Sequence, residues 1–172
     1  MRNILLLNGN PKKHSFSIQL MEEYEIAAKK HAHVRRFNLS EMDFNPSLEH
    51  GYDNLQEMEP CLQEAQNSLS WANHLVIVSP IWWGGLPAKF KGMFDRTLLP
   101  NFAFKYENGT LEQKPLLKGK TARIILTMDA PEEFAHEQAQ PVLGPVNTNP
   151  IGSVVPEKAS IKARGEKFGE SK

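Results

Sequence analysis

Trp82 and Trp83 stand side by side between Pro80 and the pair Gly84-Gly85, and this short stretch concentrates the residue types best suited to holding a ligand. Upstream, Leu75 to Val78 is an apolar run of the buried-strand kind; downstream, a helix-like segment carries Lys89, Lys91, Asp95 and Arg96. A buried strand therefore delivers flat aromatic surface and side-chain-free backbone to one loop. Indole surface left in water is unfavourable unless something flat covers it, and glycine lets a backbone approach such a partner closely. The alternative is that both tryptophans pack beneath a neighbouring helix, the commoner fate of large aromatics. The flanking Pro80, Gly84 and Gly85 weigh against it. The loop suits the edge of a planar ring resting on tryptophan, with backbone N–H groups facing its heteroatoms.

Two further stretches have the composition of ligand-binding loops. Residues 8–17 hold Gly9, several small hydroxyl residues and a predicted helix start, a combination that binds phosphate through backbone N–H groups and the positive end of a helix dipole. They match neither GxxxxGK[ST] nor GxGxxG, so ATP and the usual dinucleotide modes are not indicated. Ser15 acting only as a helix cap accounts for the same residues without a ligand. The third stretch, residues 127–131, follows another apolar run and ends in Asp129-Ala130-Pro131. A flat ring on Trp82 and Trp83 with a phosphate at the first loop describes a flavin better than a sugar or a peptide.

The elements that must position these loops follow from hydrophobic spacing. Ile4 to Leu7 is an apolar run broken at Asn8-Gly9-Asn10-Pro11, which predicts a buried strand and a turn. Leu20, Met21, Tyr24, Ala27 and Ala28 recur at helical spacing and predict an amphipathic helix from Ile18 to about Lys30. Residues 34–39 alternate, as in a strand near a sheet edge, and residues 40–54 carry turn chemistry. A helix is predicted over 55–72, with Pro60 as its other possible start. Pro87 suits the first turn of a helix running to about Leu98. Phe102, Phe104 and Tyr106 alternate ahead of a turn, predicting a small hairpin or aromatic flap, and residues 120–127 form a fourth strand. Strands alternating with helices predict an α/β protein with a doubly wound parallel sheet, its three loops meeting at the carboxyl ends of the strands.

Composition bounds the rest. At 172 residues one domain is expected, and 20 basic side chains against 20 acidic ones leave no net field to draw nucleic acid or an anionic membrane. The single cysteine, Cys61, excludes an intrachain disulfide and a multi-cysteine metal cluster, and no metal is expected. With no leader-like N-terminus and no apolar run of membrane-spanning length, a cytoplasmic protein is expected. From Pro131 onward the chain changes character, with five prolines, four glycines and only residues 151–155 strand-like. The expected division is a ligand-binding region over 1–130 and an atypical, partly disordered C-terminal segment of the same domain over 131–172.

Read together, SPIWWGGLPAKFKGMFDR, NFAF, LLKGKTARIILTMDAP and NGNPKKHSFS resemble the flavodoxin-like NAD(P)H:quinone oxidoreductases, the group that includes DT-diaphorase and the bacterial quinone reductases. The resemblance spans about residues 1–131 and implies a flavodoxin-like, three-layer α/β/α fold. It implies a noncovalent flavin, FMN or FAD, reduced by NAD(P)H and reoxidised by quinones or similar acceptors, in a homodimer whose sites lie at the subunit interface. Position by position, it implies a phosphate loop at Asn10, Ser15, Phe16 and Ser17. An isoalloxazine loop falls on Pro80, Ile81, Trp82, Trp83 and Gly84, and a second loop flanking the ring on Thr127, Met128, Asp129 and Ala130. Phe102 and Phe104 correspond to an aromatic flap at the substrate pocket. No catalytic side chain is assigned, because hydride passes by stacking and the protein supplies position and electrostatics.

The chain departs from that family in two places. Several members carry Gly-Gly after the strand-four threonine, then a tyrosine and a histidine that balance charge on the reduced flavin; here Met128-Asp129 stands there, with Phe134 and His136 nearby. The helix and fifth strand that normally follow look shortened. The leading expectation is two-electron, ping-pong transfer from NAD(P)H to quinones. A flavodoxin-fold regulatory or binding subunit with little or no turnover is the alternative, and a one-electron carrier is disfavoured because such carriers are strongly acidic.

Overall fold

The computed structural model describes residues 1–106 and 112–129. The expectations for residues 131–172, Phe134 and His136 included, lie outside the described residues. The first strand, β1 (Arg2–Asn8), has Ile4 to Leu7 buried without interruption. An unbroken apolar run is what a central strand covered on both faces requires. It pairs in parallel with β2 (Ala32–Asn38) on one side and β3 (His74–Pro80) on the other. Strand β6 (Thr121–Thr127) extends the sheet beyond β3, giving the order β2-β1-β3-β6, all parallel.

Helix α1 (Phe16–Ala28) sets Met21, Leu20, Tyr24 and Ala28 against Ile4, Leu6, Val76 and Val78 on one face of the sheet. Helices α2 (Pro60–Trp71) and α3 (Ala88–Thr97) cover the other face, with Leu62, Ala65, Leu69, Phe90 and Met93 in one cluster with Leu5, Leu7, Leu75 and Ile77. The chain first steps from β1 outward to β2, then back across β1 to β3. Both crossovers must be right-handed, so their helices land on opposite faces. This is the doubly wound, three-layer arrangement expected, and its reversal of direction opens a crevice at the carboxyl ends of β1 and β3.

Several boundaries moved. Helix α1 starts at Phe16, ahead of the predicted Ile18, because Ser15 is its N-cap: an extended residue (φ −156°, ψ 156°) whose side chain accepts from the Ile18 N–H at 3.4 Å. Strand β2 begins at Ala32 and stops at Asn38, where a 3-10 turn, Leu39–Glu41, takes over. Helix α2 begins at Pro60 rather than residue 55, with proline in the first turn, where its missing N–H costs nothing. The aromatic alternation does form a hairpin: β4 (Phe104–Tyr106) pairs antiparallel with β5 (Gln113–Pro115).

Arg96 on α3 ties residues 45–59 to that helix. Its side chain is 1 % exposed. The guanidinium donates to the Asn45 carbonyl at 2.5 Å and the Glu57 carbonyl at 2.6 Å, and pairs with Glu59 at 2.9 Å. Gly92 on the same helix lets that segment come close, since a Cβ there would lie 2.4 Å from the Pro46 carbonyl oxygen. Burial pushes the Glu59 carboxyl up, but the backbone N–H groups of Asn45 and of Glu59 itself, with Arg96, outweigh it and hold the group below its ordinary value.

Glu59→Gln leaves a buried guanidinium without its counter-charge. It is expected to cost about 3 kcal/mol in urea unfolding at neutral pH, the low end for breaking a buried pair because Glu59 keeps some contact with water. Because the folded carboxyl is the stronger acid, its contribution is present above the ordinary carboxylate value of 4.5 and is lost as pH falls below it through the folded value. The variant's stability should therefore fall less steeply than the parent's in that acid range.

Candidate functional site

The carboxyl ends of β1, β3 and β6 lie side by side, and main-chain hydrogen bonds fasten the segments that leave them. Gly9 N–H donates to the Val78 carbonyl at 2.8 Å and Ile81 N–H to the Thr127 carbonyl at 2.8 Å. The three stretches singled out by composition thus meet on one edge of the sheet. In the first, Asn10 and Ser17 are buried, Ser15 and Phe16 are half-buried, and Lys12, Lys13 and His14 are exposed ahead of α1. Asn10 donates from Nδ2 to Ser17 Oγ at 3.3 Å and accepts the Lys12 N–H at 3.0 Å. Gly9 has a different reason from the one its sequence context implied: a Cβ there would sit 2.3 Å from the Phe90 ring, so the residue is small to let α3 pack beneath the loop.

In the second stretch, Pro80 and Ile81 are buried and anchor the loop. Trp82 and Gly85 exchange N–H···O bonds at 2.9 and 3.0 Å, closing a turn with Trp83 and Gly84 at its tip. Both tip residues have positive φ, 52° and 71°, as a type I′ turn demands. Gly84 adopts that conformation freely, whereas tryptophan does so at a cost of about 1–2 kcal/mol. Trp82 is 45 % exposed and Trp83 fully exposed, so neither is packed beneath a helix. The turn also sorts the donors. The N–H groups of Ile81, Trp82 and Gly85 are spent on backbone carbonyls, while those of Trp83 and Gly84 find no acceptor among the described residues.

The third stretch contributes less side chain than expected. Thr127 is half-buried and Asp129 exposed, but Met128 points into the core at 7 % exposure, leaving its backbone to face the loops. Ala130 lies outside the described residues. Phe104, assigned to a substrate pocket with Phe102, is a core residue at 4 % exposure. Phe104 turns inward and packs edge-on against the half-exposed Tyr106, two positions along on the same strand face, ring centres 5.6 Å apart. Phe102 is half-buried against the same core.

Asn38 and Glu41 carry no sequence signal, and Asn8 reads only as the break after the first apolar run and the start of the first loop. Asn8 and Asn38 are register partners at the ends of β1 and β2, and Asn38 in turn donates to Glu41. Their burial, 1 % and 4 %, is a property of the sheet and not of any local motif. The other perturbed titratable groups among the described residues lie at the amino ends of the strands. His74 is lowered by burial and by Arg2 and Arg123, and Lys120 by burial. The strand-end loops thus offer aromatic surface, backbone donors and a helix N-terminus.

Such a reversal point in a parallel sheet defines an open, doubly wound α/β protein, the class whose ligands bind beyond the carboxyl ends of the strands. More narrowly, residues 2–148 match the family model described as a flavodoxin-like fold, and the chain belongs to that family. A Haemophilus influenzae protein named an uncharacterized NAD(P)H oxidoreductase is 38% identical over 96 residues, 53% of this chain and 46% of its own length. The rat NAD(P)H dehydrogenase [quinone] 1 is 25% identical over 148 residues, 74% of this chain and 53% of its own. The chain thus spans about half the length of these curated relatives. The NAD(P)H:quinone oxidoreductase of Methanothermobacter marburgensis superposes with a TM-score of 0.75 at 20% identity, covering 95% of this chain and 86% of that one. An FMN-dependent NADH-azoreductase of Bacillus anthracis, in complex with FMN, gives 0.62 at 19% identity with coverages of 95% and 86%. At these identities the structures establish a common fold.

Because Trp83 combines a strained backbone with a side chain that touches little, Trp83→Gly should keep or raise the stability measured by urea unfolding, by up to about 1 kcal/mol. A clear loss of stability would mean that the indole packs against the chain after all.

Proposed function

We propose that this chain is a flavin-dependent NAD(P)H oxidoreductase, passing two electrons from reduced nicotinamide to quinones or similar acceptors in a ping-pong cycle. The observation that carries the reading is the exposed Trp82-Trp83 turn with unspent N–H groups at Trp83 and Gly84, on the same sheet edge as the loop that leads from β1 into α1. A ring and a phosphate at opposite ends of one crevice match these two features, and relatives named NAD(P)H oxidoreductase and quinone dehydrogenase support the assignment. Trp82 and Trp83 form the apolar wall for an isoalloxazine, with the Trp83 and Gly84 N–H groups aimed at its heteroatoms; Pro80 and Ile81 hold that turn rigid. Asn10, Ser15, Phe16 and Ser17 with the positive end of α1 take the phosphate, and Lys12 and Lys13 add charge of the right sign. Thr127, Met128 and Asp129, with Ala130, bound the ring from the β6 side, the first three mainly through backbone.

A bound flavin, FMN or FAD held noncovalently, supplies the hydride chemistry. The chain's own part is positional. One ring face must stay open so that nicotinamide and then acceptor can stack there in turn, and backbone donors favour negative charge developing on the heteroatoms they face. Phe102 lines the acceptor side. The same reading makes the protein a cytoplasmic homodimer with one flavin-binding domain over residues 1–130, to which 131–172 belong. No helix among the described residues is long and apolar enough to cross a membrane.

Titration of the full chain with FMN and FAD, followed by NADH and NADPH oxidation with menadione, tests the proposal. Flavin absorbance and quinone-dependent turnover are expected. Failure to bind either flavin overturns the reading, and flavin binding without turnover supports a binding subunit instead. Trp82→Ala should weaken flavin binding about three- to tenfold, the range of one aromatic stacking contact, with the unfolding midpoint unchanged. A fall in stability at constant flavin affinity would instead mark Trp82 as a packing residue.

A further inference from the structure

Deepening the flavin reading, we propose that Glu41, Asn38 and Asn8 act as positioning residues for the phosphate end of the site and set a preference for phosphorylated flavin over riboflavin. Asn8 and Asn38 stand opposite each other in the β1–β2 ladder and are 1 % and 4 % exposed. A buried amide is tolerated only when its polar atoms are paired, so two of them at adjacent strand ends form a device or a liability. Here they are joined. Asn38 donates from Nδ2 to Glu41 Oε2 at 3.1 Å, and Asn8 donates from Nδ2 to Asn38 Oδ1 at 3.4 Å. Asn8 Oδ1 then accepts the backbone N–H of Asn10 at 3.1 Å.

The chain of bonds has a direction. A carboxylate can only accept, so Glu41 dictates which end of the Asn38 amide faces it; Asn38 dictates Asn8, and Asn8 draws in the Asn10 main chain. Asn10 sits at the turn of the first loop. Its side chain, oriented by the Lys12 N–H it accepts, donates to Ser17 Oγ in the first turn of α1. Ser17 is 1 % exposed, and its own hydroxyl proton has no acceptor among the described residues. An anionic side chain at the sheet edge thereby orients loop donors at the helix start without touching the ligand. A phosphate would register the disturbance of this relay. The isoalloxazine, held from Trp82 and Trp83, would not.

The test compares the affinities of the full-length parent, Glu41→Leu, Asn38→Leu and Glu41→Gln for FMN and for riboflavin. Glu41 is exposed, so its variants keep the fold testable if Asn38→Leu is unstable. Glu41→Leu and Asn38→Leu are expected to weaken FMN about five- to tenfold, the loss of one or two oriented hydrogen bonds to a charged group, with riboflavin changed less than about twofold. Glu41→Gln, which keeps an acceptor, should retain most of the parent's FMN affinity. Unchanged FMN affinity in Glu41→Leu, or equal losses for the two ligands, overturns the relay. A parent that binds FMN no better than riboflavin also overturns it while leaving the flavin reading intact. A parent that binds neither removes the flavin reading itself.

Discussion

The handedness of the two crossovers that flank β1 is the constraint on which the rest of the structure depends. Because β2 lies to one side of β1 and β3 to the other, right-handed connections place α1 on one face of the sheet and α2 on the opposite face. Strand β1 is then covered from both sides, which is why Leu5, Leu6 and Leu7 are all at or near zero exposure and why each contributes the full stabilisation of a buried leucine, about 1.5–3 kcal/mol. The same geometry parts the loops after β1 and β3, so the crevice is a by-product of burying the central strand. A site at the strand ends costs the core nothing.

Two polar arrangements keep the periphery of that core in order, and they work differently. Arg96 is a structural clamp: a fully buried guanidinium that gathers two carbonyls and the Glu59 carboxylate, drawing residues 45–59 against α3 where Gly92 leaves room. Its partners lie in the β2–α2 connection, and none belongs to the loops that leave β1, β3 or β6. The amides of Asn8 and Asn38 lie instead at the carboxyl end of the sheet, under the start of α1, and connect directly to the loop main chain. Burial of polar groups is unfavourable in both places unless all partners are present. In the first the return is stability, in the second a fixed loop.

The Trp82 to Gly85 turn shows the opposite economy. Trp83 holds a left-handed backbone conformation and presents a free indole, both of which disfavour the isolated chain. The turn closes on itself through paired hydrogen bonds, and buried Pro80 and Ile81 anchor its base. Rigid backbone, uncovered aromatic surface and two unspent donors form a coherent set only in the presence of a flat ligand, which is the physical content of the flavin proposal.

Much of this was legible in the residues alone. Apolar runs at 4–7, 75–78 and 120–127 marked the strands, proline and serine marked the helix starts, and the glycines and tryptophans marked the loop, because these signals depend on local spacing and backbone preference. Strand alternation also announced the hairpin and put Phe104 and Tyr106 on one face, yet it could not say that the core would cover Phe104 and leave Tyr106 half-exposed; the packing of that face decides it. Gly9 looked like a ligand-approach glycine, whereas the Phe90 ring, 81 positions away, is what excludes a side chain there. The buried roles of Asn8, Asn38 and Arg96 were silent in the sequence for the same reason. A polar residue acquires a role from what surrounds it when buried, and only the tertiary structure brings those surroundings together.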